Sequence, residues 1–279
     1  MTALKLFPVA IVATLLTGCG ASEQPQNLTG AGATFPNPIY SKWFSEYQKA
    51  HPLIQVNYQS LGSGAGISQV TEGTVDFGAS DQPMKPEQIE KFKTTRMTGV
   101  LHFPTVMGAV VPTYNVTDAQ WVPIKIQFTG PLLAEIYLGK ITKWNDSSLI
   151  ANNPGVALPD LDITVVGRKD GSGTTNIWTD YLSKTSSAWK VQVGVGNTVN
   201  WPVGVQAEKN NGVADVISRT SGAIGYVELS YALANSLAYG SVRNRSGNYI
   251  NASVETITSA AAGSSKWIPS DFRYSLTDA

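Results

Sequence analysis

Three glycine-rich stretches, Gly30-Ala31-Gly32-Ala33-Thr34-Phe35, Gly62-Ser63-Gly64-Ala65-Gly66 and Gly171-Ser172-Gly173-Thr174, each stand just before a segment with a helical pattern. Glycines let backbone N–H groups converge and a helix amino terminus carries about half a positive charge, so each stretch is a candidate anion cradle. Thr34, Ser63, Ser172 and Thr174 would add hydroxyl donors. Arg168 sharpens the third stretch: a guanidinium at a strand end, with Asp170 within reach to hold it, is a planar fork suited to a tetrahedral oxyanion. Asp81 would discriminate. A carboxylate aimed at an anion repels it unless the anion brings a proton, and near neutral pH hydrogen phosphate carries one whereas sulfate carries none. On local pattern each feature keeps an ordinary alternative: a tight loop with a capping Ser or Thr, a surface ion pair worth about 0 to 1 kcal/mol, a turn cap before Pro83.

Catalysis has little to work with. His51 stands at a helix end before Pro52, His102 lies in an apolar run, and the single cysteine is Cys19 near the amino terminus. Neither metal-ligand spacing nor a Gly-Lys-Ser/Thr phosphate loop occurs, and Gly30-x-Gly32 is followed by Phe35 where a dinucleotide fingerprint needs a third glycine. The chain is therefore read as a binder and not an enzyme, with no metal and no cofactor expected. The rivals are a phosphate-recognising hydrolase and a binder of another oxyanion such as sulfate. A formal net charge of zero over 279 residues and a charged fraction of only 14% supply no basic field for nucleic acid, so an anion must be held locally.

The elements needed to position these residues alternate between strand and helix, which is the pattern of an α/β fold. Ile54–Tyr58, Val75–Ala79, Ile163–Val166 and Ala223–Val227 read as strands. Helices are expected from Pro38 with Ile39, Trp43, Tyr47 and Ala50 packing on a sheet, around Ile67–Thr71, over Pro86–Lys93 and Gly130–Leu138, after Thr175, and over Asn211–Arg219. Trp43 and Trp178 are both expected in the core. The apolar run Gly99–Val116, with Pro104 and Pro112 inside it, suits extended chain crossing between two lobes better than a central strand, with a hinge near Pro104.

Lys5, the apolar run Leu6–Leu16 and Leu16-Thr17-Gly18-Cys19 resemble a bacterial lipoprotein signal, which implies that Cys19 becomes the lipidated first residue of the mature chain. About 11 apolar residues are too few to cross a bilayer, which takes roughly 20. Residues 20–26 read as a tether, and with no second cysteine the mature domain has no intramolecular disulfide.

Thr29–Pro36, Gly62-Ser63, Asp76-Phe77-Gly78-Ala79-Ser80-Asp81, Arg168-Lys169-Asp170-Gly171-Ser172-Gly173-Thr174 and Gly222–Glu228 together resemble, in order, the phosphate-binding protein family of the bacterial high-affinity phosphate ABC transporter. The resemblance runs from about Asn27 to the chain end. It implies a two-lobed type II periplasmic-binding-protein fold that closes on inorganic phosphate and presents it to permease subunits. It implies phosphate donors at Thr34, Phe35 through its N–H, Ser63, Arg168, Ser172, Gly173 and Thr174, a proton acceptor at Asp81, and Asp170 as the group that holds Arg168. The expected divisions are a signal at 1–19, the tether at 20–26, the first lobe at 27–104, the second at 105–248, and a return toward the first lobe at 249–279. An extracytoplasmic, lipid-anchored monomer is expected. The family continues through a further strand and helices beyond the segment that ends here at Asp271–Ala279, so a carboxyl-terminal truncation is expected as well.

Overall fold

The computed structural model describes residues 24–278, so the leader with Cys19, and tether residues 20–23, lie outside the described residues. The first half is built from β1 (Gln26–Gly32), α1 (Asn37–Ala50), β2 (Ile54–Ser60), α2 (Ser63–Glu72), β3 (Phe77–Ala79) and α3 (Pro86–Arg96). Its sheet runs β2-β1-β3, all parallel, with Gly30 between Tyr58 and Phe77. Because parallel strands end on the same edge, Ala33–Phe35, Leu61–Ser63 and Ser80–Asp81 leave the sheet side by side.

Gly30 and Gly32 lie inside β1 and not in a turn, unlike the sequence expectation. A Cβ on Gly30 would stand 2.1 Å from the Phe77 ring, and one on Gly32, at φ +143°, would stand 2.0 Å from the Ala79 carbonyl oxygen. Gly30 makes room for Phe77, which stacks on Tyr58 at 6.1 Å, and Gly32 for the backbone of Ala79.

α1 forms as expected, with Pro38 in its first turn, but it is rotated from the expected face. Tyr40 is buried and meets Tyr58 edge-on at 5.2 Å and Phe44 at 5.3 Å, whereas Trp43 and Tyr47 are 45% and 46% exposed. Trp43 is therefore not a core residue, although Ile39 of the expected stripe does pack against this core. The apolar surface offered by Tyr58, Ala33 and Ala79 draws the Tyr40–Phe44 row, which has the same four-residue spacing as Ile39–Trp43.

Residues 99–109 cross to the second half without helix or strand. There follow β4 (Val110–Tyr114), β5 (Gln127–Phe128), α4 (Gly130–Tyr137), α5 (Ser147–Asn152), β6 (Thr164–Arg168), α6 (Gly173–Thr185), α7 (Ser187–Gln192), β7 (Val205–Ala207), α8 (Lys209–Arg219), β8 (Ala223–Glu228), α9 (Leu229–Ala234), β9 (Ala238–Tyr239), β10 (Ser241–Arg243), β11 (Tyr249–Ile250) and α10 (Val254–Ser264). The main sheet runs β7-β6-β8-β4-β9, parallel through its first three strands and antiparallel across β8-β4-β9, beside a small sheet β11-β10-β5.

Pro112 sits inside β4 as a sheet strand, against expectation. Its carbonyl accepts from Gly240 N–H at 3.0 Å, just past the end of the two-residue strand β9, so its missing N–H faces the place where that ladder stops.

Both faces of the main sheet are covered. Trp144, Trp178, Trp189, Tyr137 and Phe128 fill one side, and Val111, Val166, Val213, Ile217 and Val227 the other. Trp178 is 2% exposed, as expected. Beyond β11, Ile257 packs on the second of these cores, and Ser275 Oγ donates to Asp180 Oδ2 of α6 at 2.8 Å. Arg273 and Asp271 of the same segment stand near His102.

Candidate anion-binding cleft

Two strand edges meet here. β1, β2 and β3 of the first half and β6 and β8 of the second deliver their carboxyl-terminal residues to one cleft, where α2 and α6 both begin. Backbones touch directly: Gly64 N–H donates to the Gly171 carbonyl at 2.9 Å. A Cβ on Gly173 would stand 2.4 Å from Ser63 Oγ and 2.6 Å from Asp81 Cβ, which measures how closely the second half's helix start approaches the first half's side chains.

Arg168 ends β6 and is 1% exposed. Its N–H donates to Tyr226 Oη at 3.2 Å and its carbonyl accepts from Trp201 Nε1 at 3.0 Å, so the backbone is fixed on both sides. Asp170 takes Arg168 Nε on Oδ1 at 2.8 Å and Nη2 on Oδ2 at 2.5 Å. Nη1 is buried with no hydrogen-bond partner among the described residues. Burial works against ionisation of Asp170, but the bonds and charge of Arg168, with the Lys209 N–H at 2.8 Å, hold its carboxyl below the ordinary carboxylate range.

Asp81 presents the complementary acceptor. Oδ2 accepts from Thr174 Oγ1 at 2.9 Å and the Asp81 N–H donates to Ser63 Oγ at 3.2 Å, while Oδ1 is buried without a partner among the described residues. Burial pushes the carboxyl up to about 6, against the lowering influence of Thr174, Arg168 and Ser63. An orphaned buried donor or acceptor costs about 1–3 kcal/mol, and here one of each is buried among the residues of these strand ends, close enough for the Arg168 charge to act on Asp81.

The remaining expected residues are all present at this edge. Ser172 caps α6 by accepting the Thr175 N–H at 3.0 Å, which leaves its hydroxyl hydrogen to donate elsewhere. Thr34 is 3% exposed, and Phe35 lies against Gly108, where an added Cβ would meet its ring at 2.6 Å and Glu228 Oε1 at 2.5 Å.

Four residues at the site were not anticipated from sequence. Asn210 bonds to Thr34 Oγ1 at 2.6 Å, Tyr231 Oη donates to the Thr34 carbonyl at 2.6 Å, and Tyr226 Oη bridges to Thr175 Oγ1 at 2.7 Å. Glu228 caps α9, and burial, opposed by its bonds to Ser230, raises its carboxyl above the ordinary value. Tyr226 and Glu228 carried a sequence signal only as members of the Gly222–Glu228 motif, with no role assigned to either.

Two α/β lobes joined by extended chain, with glycine-flanked helix starts facing each other, define a two-lobed solute-binding protein of the type II periplasmic-binding-protein fold. The chain belongs to the PBP superfamily: the family model described as a PBP superfamily domain matches residues 20–270. Among curated relatives, the phosphate-binding protein PstS of Xylella fastidiosa is 44% identical over 261 residues, covering 93% of this chain and 69% of the relative. That of Haemophilus influenzae is 47% identical over 244 residues, covering 88% and 70%. A Clostridium perfringens substrate-binding protein assigned to a phosphate ABC transporter and solved with bound phosphate shares the fold, with a TM-score of 0.63 at 19% identity over 85% of this chain and 82% of that one.

Proposed function

We propose that this chain captures inorganic phosphate between its two lobes on the extracytoplasmic side and delivers it to an ABC permease for import. The carrying observation is the pair of unfilled buried groups: Arg168 Nη1, a donor, and Asp81 Oδ1, an acceptor. Hydrogen phosphate satisfies both at once, its bare oxygen taking Nη1 and its hydroxyl donating to Asp81. Sulfate would leave Oδ1 facing an unprotonated oxygen. The hydroxyls of Thr34, Ser63 and Ser172 and the N–H groups of Phe35, Gly173 and Thr174 complete the shell, with the Thr174 hydroxyl held on Asp81, backed by the α2 and α6 dipoles. The phosphate-binding relatives support the same ligand.

In this reading residues 27–104 and 105–248 form the two lobes, a hinge near Pro104 lets them part, and Cys19 anchors a monomer to lipid. Nothing is turned over: phosphate enters and leaves unchanged. Titration calorimetry of the purified chain with phosphate and then sulfate tests the proposal. Binding of phosphate, lost in Arg168→Ala and absent for sulfate, is the expected result. Equal heats for both anions, or release of phosphate from a phosphomonoester, would instead favour the broader oxyanion binder or the hydrolase.

A further inference from the structure

Asn210 is 0% exposed and stands in the first turn of α8, in the second lobe. Its two amide ends can be told apart without seeing hydrogens. Oδ1 lies 3.1 Å from Glu228 N, a backbone N–H that can only donate, so the carbonyl end must face Glu228 and the NH2 end must face Thr34. The 2.6 Å contact is therefore Asn210 donating to Thr34 Oγ1. A hydroxyl that accepts along this direction keeps its own hydrogen for another partner, and among the described residues none takes it. Tyr231, donating to the Thr34 carbonyl, holds the backbone of the same residue still.

The placement of Asn210 is itself enforced. The preceding residue, Lys209, has φ +63°, a left-handed conformation that disfavours a residue with a Cβ, and its N–H is held on Asp170 Oδ1. The carboxylate that fixes Arg168 thus also fixes the start of α8.

We infer that Asn210 is a positioning residue for the ligand: by occupying the acceptor side of the Thr34 hydroxyl from the opposite lobe, it turns that hydroxyl into an obligate donor toward the bound anion. The inference rests on the phosphate reading above and adds a residue that does not itself touch the ligand. It also makes the donor conditional on closure, since Asn210 and Thr34 come from different lobes.

A double-mutant cycle tests it. Asn210→Asp keeps an acceptor for Glu228 N–H but at pH 8 turns the donor facing Thr34 into a second acceptor, which recaptures the hydroxyl hydrogen. Phosphate affinity is measured by calorimetry for the wild type, Asn210→Asp, Thr34→Val and the double variant. Repulsion between the new carboxylate and phosphate is common to both backgrounds and cancels in the cycle. The factor lost on Asn210→Asp is expected to be about 10-fold larger with Thr34 present than in the Thr34→Val background, the scale of one hydrogen bond to a charged group. Equal factors in the two backgrounds would overturn the inference. If thermal melts show Asn210→Asp unfolded, Asn210→Ala takes its place in the cycle, with a smaller coupling of about 3-fold expected and strict additivity as the refuting result. A wild type that gives no heat with phosphate would strike the phosphate reading itself, whereas normal wild-type binding without coupling strikes only the role of Asn210.

Discussion

Asp81→Asn offers the sharpest quantitative test, because one carboxyl should govern both the stability of the empty protein and its choice of ligand. Raising a carboxyl from its ordinary 3.8 to about 6 corresponds to roughly 3 kcal/mol against the ionised folded state, at about 1.4 kcal/mol per tenfold change in proton affinity. The sign follows from the direction: a raised carboxyl favours the fold fully when protonated, below its unfolded value, and that contribution is lost as pH climbs through about 6. Asparagine keeps an acceptor for Thr174 but puts a buried amide donor where Oδ1 was, at a cost of about 1–2 kcal/mol. The variant should therefore be more stable than wild type by about 1–2 kcal/mol above pH 7, or about 2–6 °C in Tm for a chain of this size. The advantage should shrink or reverse near pH 4. Thermal melts of both ligand-free proteins from pH 4 to pH 8 read this directly, and curves that run parallel across the whole range would refute the reasoning. In competition titrations the same variant, now able to donate to a bare oxygen, should lose about 10- to 100-fold of its discrimination against sulfate.

Two further substitutions probe the frame around that carboxyl. Asp170→Ala strips a 1%-exposed guanidinium of both its bonds, so urea unfolding should show a loss of about 3–5 kcal/mol, the scale for breaking a buried ion pair from one side. Gly173→Ala places a methyl 2.4 Å from Ser63 Oγ, across the seam between the lobes, and should weaken phosphate binding about 10-fold or more while leaving the melting temperature of the ligand-free chain nearly unchanged; equal losses in both readouts would mean that the contact is a folding contact and not a closure contact.

Element positions were largely legible in the sequence because the strong signals were local. Val165 and Val166 announce a buried strand, Pro38 and Pro86 announce helix starts, and all three elements begin within a residue of the expected start. Rotation about a helix axis was not legible: Ile39–Trp43–Tyr47 and Tyr40–Phe44 repeat with the same period, and only the three-stranded sheet beneath α1 decides between them. Pro112 misled for a related reason, since a proline forbids a hydrogen bond only where a neighbouring strand would take it, and the shortness of β9 is a tertiary fact. At the cleft, the glycine-flanked Arg168 and Asp81 could be picked out because their chemistry is unusual near strand ends. Asn210 could not, because an asparagine at a helix start is ordinary until its partner, 176 positions away, is brought beside it.

The pairing of Arg168 with Asp170 has a consequence for the conditions under which capture works. The buried guanidinium of the cleft is already neutralised by a neighbour, in a chain whose formal total is also zero. Attraction at a distance therefore contributes little, and the grip comes from short bonds made only after arrival. Such a receptor should load its cargo equally well in dilute and in briny surroundings, because mobile ions have almost no long-range pull to screen.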